Sequence, residues 1–563
     1  MKRLQHIVQL IIIISIVFII NIIANYFYGS IDLTEEKRYT LSQSTFEVIE
    51  QIEDKVFIRV LLEGDFPSGF QRLRNSTQEM LDDLRDINPN IEYIFEDPVD
   101  GTISEIKARR DQLAKDGVIP VNLTYNDGTE VVQKGIYPFA LITYRGKTSQ
   151  VSLLKNQSLN ENEEVTLNKS IEQLEYKFVN HIYKLTKQRR QTIGFTTGNG
   201  EIYYENTIVL EKELEKFYDV GRINLDSLVS ISNELDLLII AAPQVGFDEK
   251  KKFKLDQYIM NGGRVIYLLE KLTASLDSIN KHRFYIPEDI DTGLDDMLFK
   301  YGAKILPNLV LDLESSSIPQ IVGEQDGKPQ TAMYKWPYHT LALPNNNHPI
   351  GKNIDRVNMF FPSSIDTVKT KYAVKKTPVL STSPYSRLQY NPVRLNFEIL
   401  KFPPDQNKYN KGKQTLGMLL EGSFSSLFEN RITSSFQEGL DKLGIEFVGK
   451  SVPTKQLVLS DADFMSNLVN RRTGKAEPMG FNLWDRYNYE GNRDFMLNAV
   501  EFMLNDNSIL DSRSKQLKLR LLDAVKTKQE KKKWQFINIG LPLLFLALFG
   551  ILFNFIRRRR FTK

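Results

Sequence analysis

The sequence predicts an α/β protein that is held in a membrane by one apolar helix at each end. Residues 7–28 and 534–556 contain no charged side chain. Each run is long enough to cross a hydrocarbon core of about 30 Å as a helix. Between the two runs, short β-branched segments alternate with helix-like stretches, which is the pattern of βαβ units. The predicted class is therefore α/β, with a large region between two transmembrane helices.

The composition excludes several kinds of chemistry. The chain has no cysteine, so disulfides, thiolate metal sites and cysteine nucleophiles are excluded. Its five histidines lack the spacing of a metal site, and no HExxH motif occurs. A net charge of +3 over 563 residues is too small to indicate a nucleic-acid partner.

The charges that flank the two apolar runs predict the membrane topology. Lys2 and Arg3 precede the first run, and four arginines at 557–560 follow the second. By the positive-inside rule, residues 1–6 and the basic tail at 557–563 are cytoplasmic, and the region between the spans lies on the far side. A cleaved signal peptide is the competing interpretation of residues 7–28, but the run is long and no clear cleavage site follows it.

Two polar side chains interrupt the first span. Asn21 and Asn25 lie four residues apart, on one face of the helix. Polar groups in lipid seek partners, so this face either packs against the second span or contacts another membrane subunit. The sequence leaves both possibilities open.

Residues 29–159 are predicted to form an N-terminal α/β domain, with Ser42 or Ser44 capping its first helix. The predicted strands are 56–62, 91–95, 117–125 and 130–153, and the predicted helices are 71–85 and 102–115. Residues 160–187 then form an amphipathic connecting helix, because apolar side chains recur every three or four residues.

Residues 188–505 are predicted to form a second α/β domain, followed by a helical stalk at 506–533. Strands at 193–196, 237–241 and 265–269 alternate with a helix at 204–217 and a helix capped by Asp248, which predicts a doubly wound sheet. Residues 285–400 are rich in Pro, Asn and Ser and are predicted to be an insertion of mixed strands and loops. The sheet is expected to resume at 377–383, 415–424 and 456–464.

A glycine-rich loop follows the first strand of this domain. It contains Gly198, Asn199, Gly200 and Glu201. It has neither the Lys-Ser/Thr pair of a phosphate-binding P-loop nor the GxGxxG spacing of a dinucleotide-binding loop. It is predicted to be a tight strand-to-helix turn, and because ligands bind at the carboxyl ends of open α/β sheets, it is also a candidate docking loop.

Two carboxylates mark the end of a later strand. Asp461 and Asp463 in "SDAD" lie two residues apart. Such a pair could hold Mg²⁺ or Ca²⁺, although closing a turn is the more common role. No GxSxG elbow or ABC-ATPase signature occurs. The sequence therefore predicts no enzyme, no cofactor and no metal centre, and it retains the two aspartates as candidate ligand contacts.

An ordered series of segments carries a family resemblance: "DLTEEKRYTLSQST", "TIGFTTGNGE", "LLEGSFSSLFENR", "SDADFMSN", "GNRDFMLNAVEFML" and "LDSRSKQLKLRLLDAVK". Over nearly its full length, the chain resembles the gliding-motility-associated ABC transporter auxiliary components of Bacteroidetes, the GldG family. The resemblance implies a non-catalytic, substrate-binding-like subunit that acts with an ABC ATPase and a multi-span permease. It also implies a domain, starting near residue 190, that is similar to one in an intraflagellar-transport subunit and to flavodoxin-like and class I amidotransferase-like folds.

The expected location is the cytoplasmic membrane, crossed twice, with a large periplasmic region. Other envelope proteins are further expected partners. Two alternatives stay open at this point. The chain could be an envelope scaffold or motility adaptor without a transport role, or an extracytoplasmic enzyme of the amidotransferase-like superfold that uses chemistry without cysteine.

Overall fold

The computed structural model describes residues 12, 15–16, 18–19, 41–115, 118, 120–126, 131–154, 163–187, 189–281, 284–325, 328–470, 472–504 and 524–561. The chain divides into two compact units, Met1–Lys515 and Gln516–Lys563. Most of the predicted first span, including Asn21 and Asn25, lies outside the described residues, and so does the predicted stalk up to residue 523.

The N-terminal part is a small α/β arrangement. Its elements are α1 (Gln43–Glu50), β1 (Val56–Val60), α2 (Ser68–Ile87), β2 (Ile91–Phe95), α3 (Ile103–Lys115), β3 (Val121–Asn126), β4 (Val131–Ile136), β5 (Phe139–Tyr144), β6 (Lys147–Ser152), α4 (Glu163–Glu172) and α5 (Leu174–Thr186). Four strands form a sheet in the order β2-β1-β5-β6, while β3 and β4 pair separately. Ser42 caps α1 by accepting a hydrogen bond from the backbone N–H of Thr45 at 3.3 Å, as the sequence predicts.

Two predictions for this part need correction. The single strand predicted at 130–153 is three strands, because Pro138 interrupts the first and a turn at Arg145 and Gly146, both with positive φ, reverses the chain. The connecting helix predicted at 160–187 is two helices, α4 and α5, that meet at Gln173. Its apolar stripe is buried as predicted, but periodicity alone did not reveal the break.

The larger part of the chain forms one long mixed sheet. Its elements are β7 (Thr192–Thr197), α6 (Tyr204–Glu215), β8 (Asp219–Asn224), β9 (Leu237–Ala241), α7 (Glu249–Met260), β10 (Val265–Leu268), α8 (Leu276–Lys281), α9 (Asp295–Tyr301), β11 (Ala303–Ile305), β12 (Asn308–Asp312), β13 (Ser315–Gln325), β14 (Lys328–Pro344), β15 (Val357–Asn358), β16 (Ile365–Thr367), β17 (Val374–Ser381), β18 (Ser386–Tyr390), β19 (Thr415–Gly422), α10 (Ser434–Leu443), β20 (Thr454–Leu459) and α11 (Glu490–Met503). The strand order is β13-β14-β17-β19-β20-β10-β9-β7-β8, and β15 pairs with β14 as the tenth strand. Outside this sheet, β11 pairs with β16 and β12 pairs with β18.

Five neighbouring strands of this sheet are parallel: β8, β7, β9, β10 and β20. In chain order they run 2-1-3-4-5, an order found in doubly wound sheets. Alternate side chains of β9 enter two different cores, since Leu237 and Ile239 pack on one face and Leu238 and Ile240 on the other. Helix α6 covers the first face and α7 the second, which explains why β9 is continuously apolar.

Part of the predicted insertion at 285–400 belongs to the large sheet, which its composition does not indicate. Strands β14 and β17 extend the large sheet in antiparallel fashion through β19. The long β13–β14 hairpin therefore forms the edge of the sheet, and a separate apolar cluster around Trp336 packs beneath it. As predicted, the sheet resumes in the segments that contain β17, β19 and β20.

A buried ion pair links the connecting helix α5 to α11. Lys184 and Glu501 form a salt bridge in which both side chains are less than a tenth exposed. Tyr176 and Asn180 donate further hydrogen bonds to the carboxylate of Glu501, at 2.6 and 3.0 Å. Burial acts to raise the pKa of Glu501, but the charge and hydrogen bond of Lys184 outweigh it and lower the pKa.

The C-terminal unit is described from helix α12 (Ala524–Phe561). Within it, Lys533–Arg559 is the one stretch among the described residues that is long and apolar enough to cross a membrane. Its apolar side chains are exposed, including Phe536, Leu546 and Phe549. The second predicted span, at 534–556, lies inside this stretch.

Replacing Glu501 with Gln is expected to destabilise the chain by about 3–5 kcal/mol, because the Lys184 ammonium stays buried without its counter-charge. The matched control is Glu398→Gln, which breaks an exposed pair with Lys401 at 3.6 Å and is expected to change stability little. Denaturant unfolding of the purified protein in detergent, followed by tryptophan fluorescence, measures both. Equal stability of the two variants would contradict the structural role of the buried pair.

A second prediction concerns His348, whose Nδ1 accepts a hydrogen bond from the backbone N–H of Ile350 at 3.3 Å. Burial lowers the pKa of His348 to about 4. Because the pKa of His348 is lower in the folded than in the unfolded state, protonation of this histidine favours unfolding. Its neutral form therefore stabilises the fold fully above pH 6.5, and this stabilisation is lost as the pH falls through 4. The other charges that affect its pKa are Glu421, which raises it, and Lys375 and Lys455, which lower it.

The variant His348→Asn keeps an acceptor for Ile350 but does not titrate. Between pH 7 and pH 5, we expect the wild type to lose about 2 kcal/mol more unfolding free energy than the variant. Denaturant titrations at the two pH values test this difference. Parallel losses in the two proteins would show that His348 does not titrate as the structure indicates.

Candidate functional site

The carboxyl ends of the five parallel strands lie along one edge of the large sheet, where ligands bind in proteins of this architecture. The glycine-rich loop follows β7 at this edge, and the segment with Asp461 and Asp463 follows β20. Strands β9 and β10 separate β7 from β20, so the two groups of predicted site residues belong to different parts of the edge.

Interactions within the protein fill the glycine-rich loop. Asn199 is buried, and its side-chain amide donates hydrogen bonds to the backbone carbonyls of Val245 and Gly246 at 3.0 and 3.1 Å. Its backbone N–H donates to Glu201 Oε2 at 2.7 Å. Lys251 Nζ donates to Asn199 Oδ1 at 3.1 Å, so a cation that could have faced a ligand is bound inside the turn.

Both glycines of the loop are required by backbone geometry. Gly198 has φ of +101° and Gly200 has φ of +76°, which are conformations that side chains with a Cβ rarely adopt. A Cβ at Gly198 would also lie 2.9 Å from Oδ1 of Asn224. The loop is therefore a strand-to-helix turn whose polar groups face the protein, with one exception. Glu201 Oε1 is buried and has no hydrogen-bond partner among the described residues.

The segment after β20 brings three carboxylates together. Glu270, Asp461 and Asp463 each offer an oxygen, and these oxygens all lie within 4.8 Å of one another. Asp461 is completely buried, Glu270 is partly buried, and Asp463 is exposed. Glu270 follows β10 and Asp461 follows β20, and because these strands pair in parallel, the two residues emerge side by side. These three residues form the acidic cluster.

Backbone N–H groups hold the acidic cluster in place. Asp461 Oδ2 accepts a hydrogen bond from Phe360 N at 2.7 Å, and Asp461 Oδ1 accepts from Asp463 N at 2.8 Å. Glu270 Oε1 accepts from Ala462 N at 2.7 Å. Asp461 thus closes the turn to Asp463, the role that the sequence favours, and it also fastens the insertion to the sheet.

The three carboxylates of the acidic cluster repel one another when all of them are ionised, so the fully ionised state is unfavourable. Burial, followed by the negative charge of Asp463, raises the pKa of Asp461 to about 8. Burial and the charges of both aspartates raise the pKa of Glu270 well above its ordinary value. Like charges at this distance are compatible only if protons or a cation lie between them.

A cavity of about 260 Å³ adjoins the acidic cluster. Asp463 lines it, together with Asp277, His339, Asn482 and Trp484 and with a group of phenylalanines. His339 is 1% exposed and packs edge-on against Phe360 at 4.7 Å between ring centroids. Its Nδ1 has no hydrogen-bond partner among the described residues. This lining combines aromatic surface with a few polar groups, as small-molecule sites do.

A larger cavity of about 720 Å³ lies beside α9 and is lined by charges of both signs. Several of these charges are paired within the protein, for example Lys271 with Asp295 at 2.7 Å and Lys252 with Asp296 at 3.1 Å. The pairing of Lys271, Asp295 and Asp296 therefore uses part of the charge that lines this cavity.

Sequence reasoning missed Glu270. The residue ends the run "VIYLLE", and its position after a predicted parallel strand is a usable signal. Recognising it requires knowing that β10 neighbours β20, and no local pattern indicates that pairing. The sequence around His339 shows no metal-ligand spacing, since the neighbours of this histidine come from distant parts of the chain.

The turn geometry predicts opposite outcomes for two Gly→Ala changes. Gly198→Ala is expected to destabilise the protein by about 1–3 kcal/mol, because of its positive φ and the contact with Asn224. Gly439→Ala, in the exposed helix α10 where nothing lies within 4 Å, is expected to stabilise it by about 0.5–1 kcal/mol. Thermal unfolding of both variants measures the contrast, and a neutral Gly198→Ala would contradict a strained turn.

Comparisons with known proteins find a curated relative and several solved structures with low similarity. A 22% identical relative from Borreliella burgdorferi, described as an uncharacterized protein, aligns over 97% of this chain and 97% of its own length. Among solved structures, the mmIFT52 N-terminal domain is 16% identical, covers 55% of this chain and 96% of its own, and has a TM-score of 0.30. An exo-β-1,4-mannosidase from Opitutaceae bacterium strain TAV5 is 9% identical, covers 60% of this chain and 39% of its own, and has a TM-score of 0.22.

Two family models match the chain itself. Residues 35–143 match a domain of unknown function, DUF7088. Residues 190–499 match the ABC-type uncharacterized transport system family, ABC_transp_aux. This second match spans more than half of the chain and includes the whole parallel sheet and the acidic cluster. The chain therefore belongs to the family of auxiliary components of this ABC-type transport system.

Proposed function

We propose that this chain is a non-catalytic, membrane-anchored auxiliary subunit of an ABC transporter complex, which acts with an ABC ATPase and a multi-span permease. The observation that carries the proposal is the family match over residues 190–499. The sequence supports a non-catalytic role, because it has neither a phosphate-binding P-loop nor an ABC signature. Energy for transport then comes from the partner ATPase.

Within this family, we assign the chain to the gliding-motility-associated GldG type, on the ordered segments described above. The strand order 2-1-3-4-5 and the helices on both faces of the parallel strands support a flavodoxin-like classification of the second domain. In the proposed complex, this domain binds a substrate or an envelope partner and transmits the binding event to the permease.

The proposed topology is two-pass, with both termini in the cytoplasm. Helix α12 supports one crossing, because Lys533–Arg559 exposes apolar side chains along its length. The arginines at 557–560 favour the cytoplasmic side for its end. The uncharged residues 7–28 supply the second crossing, and their Asn21 and Asn25 supply polar contacts for the permease.

Purification of the tagged chain from detergent-solubilised membranes tests the proposal. An ATP-binding subunit and a multi-span subunit are expected to co-purify in a constant ratio. The double variant Asn21→Leu and Asn25→Leu is expected to recover less permease, whereas Gln9→Leu, also in the first apolar run, is the matched control.

Recovery of the chain alone, at its native abundance, would contradict the role in a transporter complex. An intact complex in which an ATPase-dead partner leaves motility unchanged would instead favour a scaffold without a transport role. If the two asparagine substitutions leave permease recovery unchanged, the predicted contact in the membrane is wrong while the subunit assignment stands.

A further inference from the structure

The acidic cluster is not used by the proposed function, and its charge is not balanced by the protein. Among the described residues, no lysine, arginine or histidine forms a salt bridge with Glu270, Asp461 or Asp463. The buried carboxylate of Glu501, by contrast, pairs with Lys184. When its three groups are ionised, the acidic cluster therefore has an excess of negative charge at the carboxyl edge of the sheet.

The arrangement of the three carboxylates suits a hard divalent cation. Oxygens that lie within 4.8 Å of one another can share one ion at bond lengths of about 2.0–2.6 Å. The backbone hydrogen bonds from Phe360, Ala462 and Asp463 orient the carboxylates. Each ionised carboxylate has about four acceptor positions, so these bonds leave capacity for a metal.

A second observation, independent of the acidic cluster, points to a ligand in the same place. His339 lines the cavity that Asp463 also lines, and it is 1% exposed. Its Nδ1 lacks a hydrogen-bond partner among the described residues. Buried polar atoms in native proteins are nearly always satisfied by protein, water or ligand. One cavity is thus lined both by a histidine with an unsatisfied ring nitrogen and by Asp463 of the acidic cluster.

We propose that Glu270, Asp461 and Asp463 bind one divalent cation of the magnesium and calcium class at the edge of this cavity. The cation neutralises the acidic cluster and leaves coordination positions open towards the cavity. Water or an oxygen ligand from the cavity fills those positions. This assignment concerns the chain's own residues and does not depend on which transporter subunits it contacts.

Terbium luminescence provides a direct test, because Tb³⁺ occupies calcium-type oxygen sites and Trp484 lines the same cavity. Excitation of tryptophan in the purified full chain is expected to sensitise terbium emission, and added Ca²⁺ or Mn²⁺ is expected to displace it. Asp461→Asn combined with Asp463→Asn is expected to weaken binding on the order of tenfold or more. Asp277→Asn, which alters another acid of the same cavity, is the matched control.

Thermal unfolding provides a readout that does not depend on luminescence. The wild type is expected to gain stability from Ca²⁺ or Mn²⁺. The double variant is expected to gain nothing from the metal, and to be less stable than the wild type because an asparagine in place of Asp461 can accept only one of the two backbone hydrogen bonds that Asp461 accepts. If the double variant does not fold, Glu270→Gln is used in the same two measurements.

Three results would overturn the proposal. In the first, the wild type shows neither sensitised emission nor a metal-dependent shift at millimolar Ca²⁺, Mg²⁺ or Mn²⁺, which means that shared protons alone neutralise the acidic cluster. In the second, the metal binds with the same affinity to the wild type and to the double variant, which places the cation elsewhere. Loss of binding in Asp277→Asn but not in the double variant would likewise reject these three ligands.

Discussion

The parallel pairing of β10 with β20 is the constraint on which the rest of the structure depends. Val265 aligns with Gln456 and Leu268 with Leu459, although residues 269–453 separate the two strands in the chain. The long intervening segment must therefore leave the sheet and return to the same edge. It returns through β19, which is antiparallel to β20. This single pairing converts a four-stranded parallel sheet into a ten-stranded mixed one and places Glu270 beside Asp461.

Burial on both faces of the parallel strands explains how the remaining helices are positioned. Because alternate residues of β9 enter separate cores, each face needs a covering layer. Helix α11 contributes Phe495, Met496 and Val500 to the first core. The same helix carries Glu501, whose buried pair with Lys184 attaches α5. A buried charged pair adds little net stability compared with apolar packing in the same place. It does favour one orientation of α5, because a rotation of this helix would leave Lys184 buried without a counter-charge.

Local sequence patterns predicted those parts of the fold that depend on neighbours along the chain. The caps at Ser42 and Asp248, the continuous apolar strand β9 and the strand-to-helix turn at Gly198 follow from side-chain and backbone preferences. The break between α4 and α5 could not be predicted from these preferences, since Gln173 has no helix-breaking character of its own. The composition of residues 285–400 also did not reveal that β14 and β17 extend the sheet, because their partners are set by pairing far along the chain. Asp461 and Asp463 could be found from sequence, but Glu270 and His339 join them only through the tertiary fold.

The two loops at the carboxyl edge show how partners, rather than residue types, determine chemical capacity. Glu201 and Asp461 are both buried carboxylates that accept backbone hydrogen bonds. Around the glycine-rich loop, Lys251 contacts Asn199 and pairs with Asp226 at 2.9 Å, so a cation already belongs to that turn. Around Asp461, the neighbouring charges are two further carboxylates and no paired cation among the described residues. At the glycine-rich loop the protein supplies the cation itself, although Glu201 Oε1 has no hydrogen-bond partner among the described residues. The acidic cluster instead requires a proton or a metal ion from solution to offset its three carboxylates. The proposed cation site therefore lies where β10 meets β20 and not at the conspicuous glycine motif.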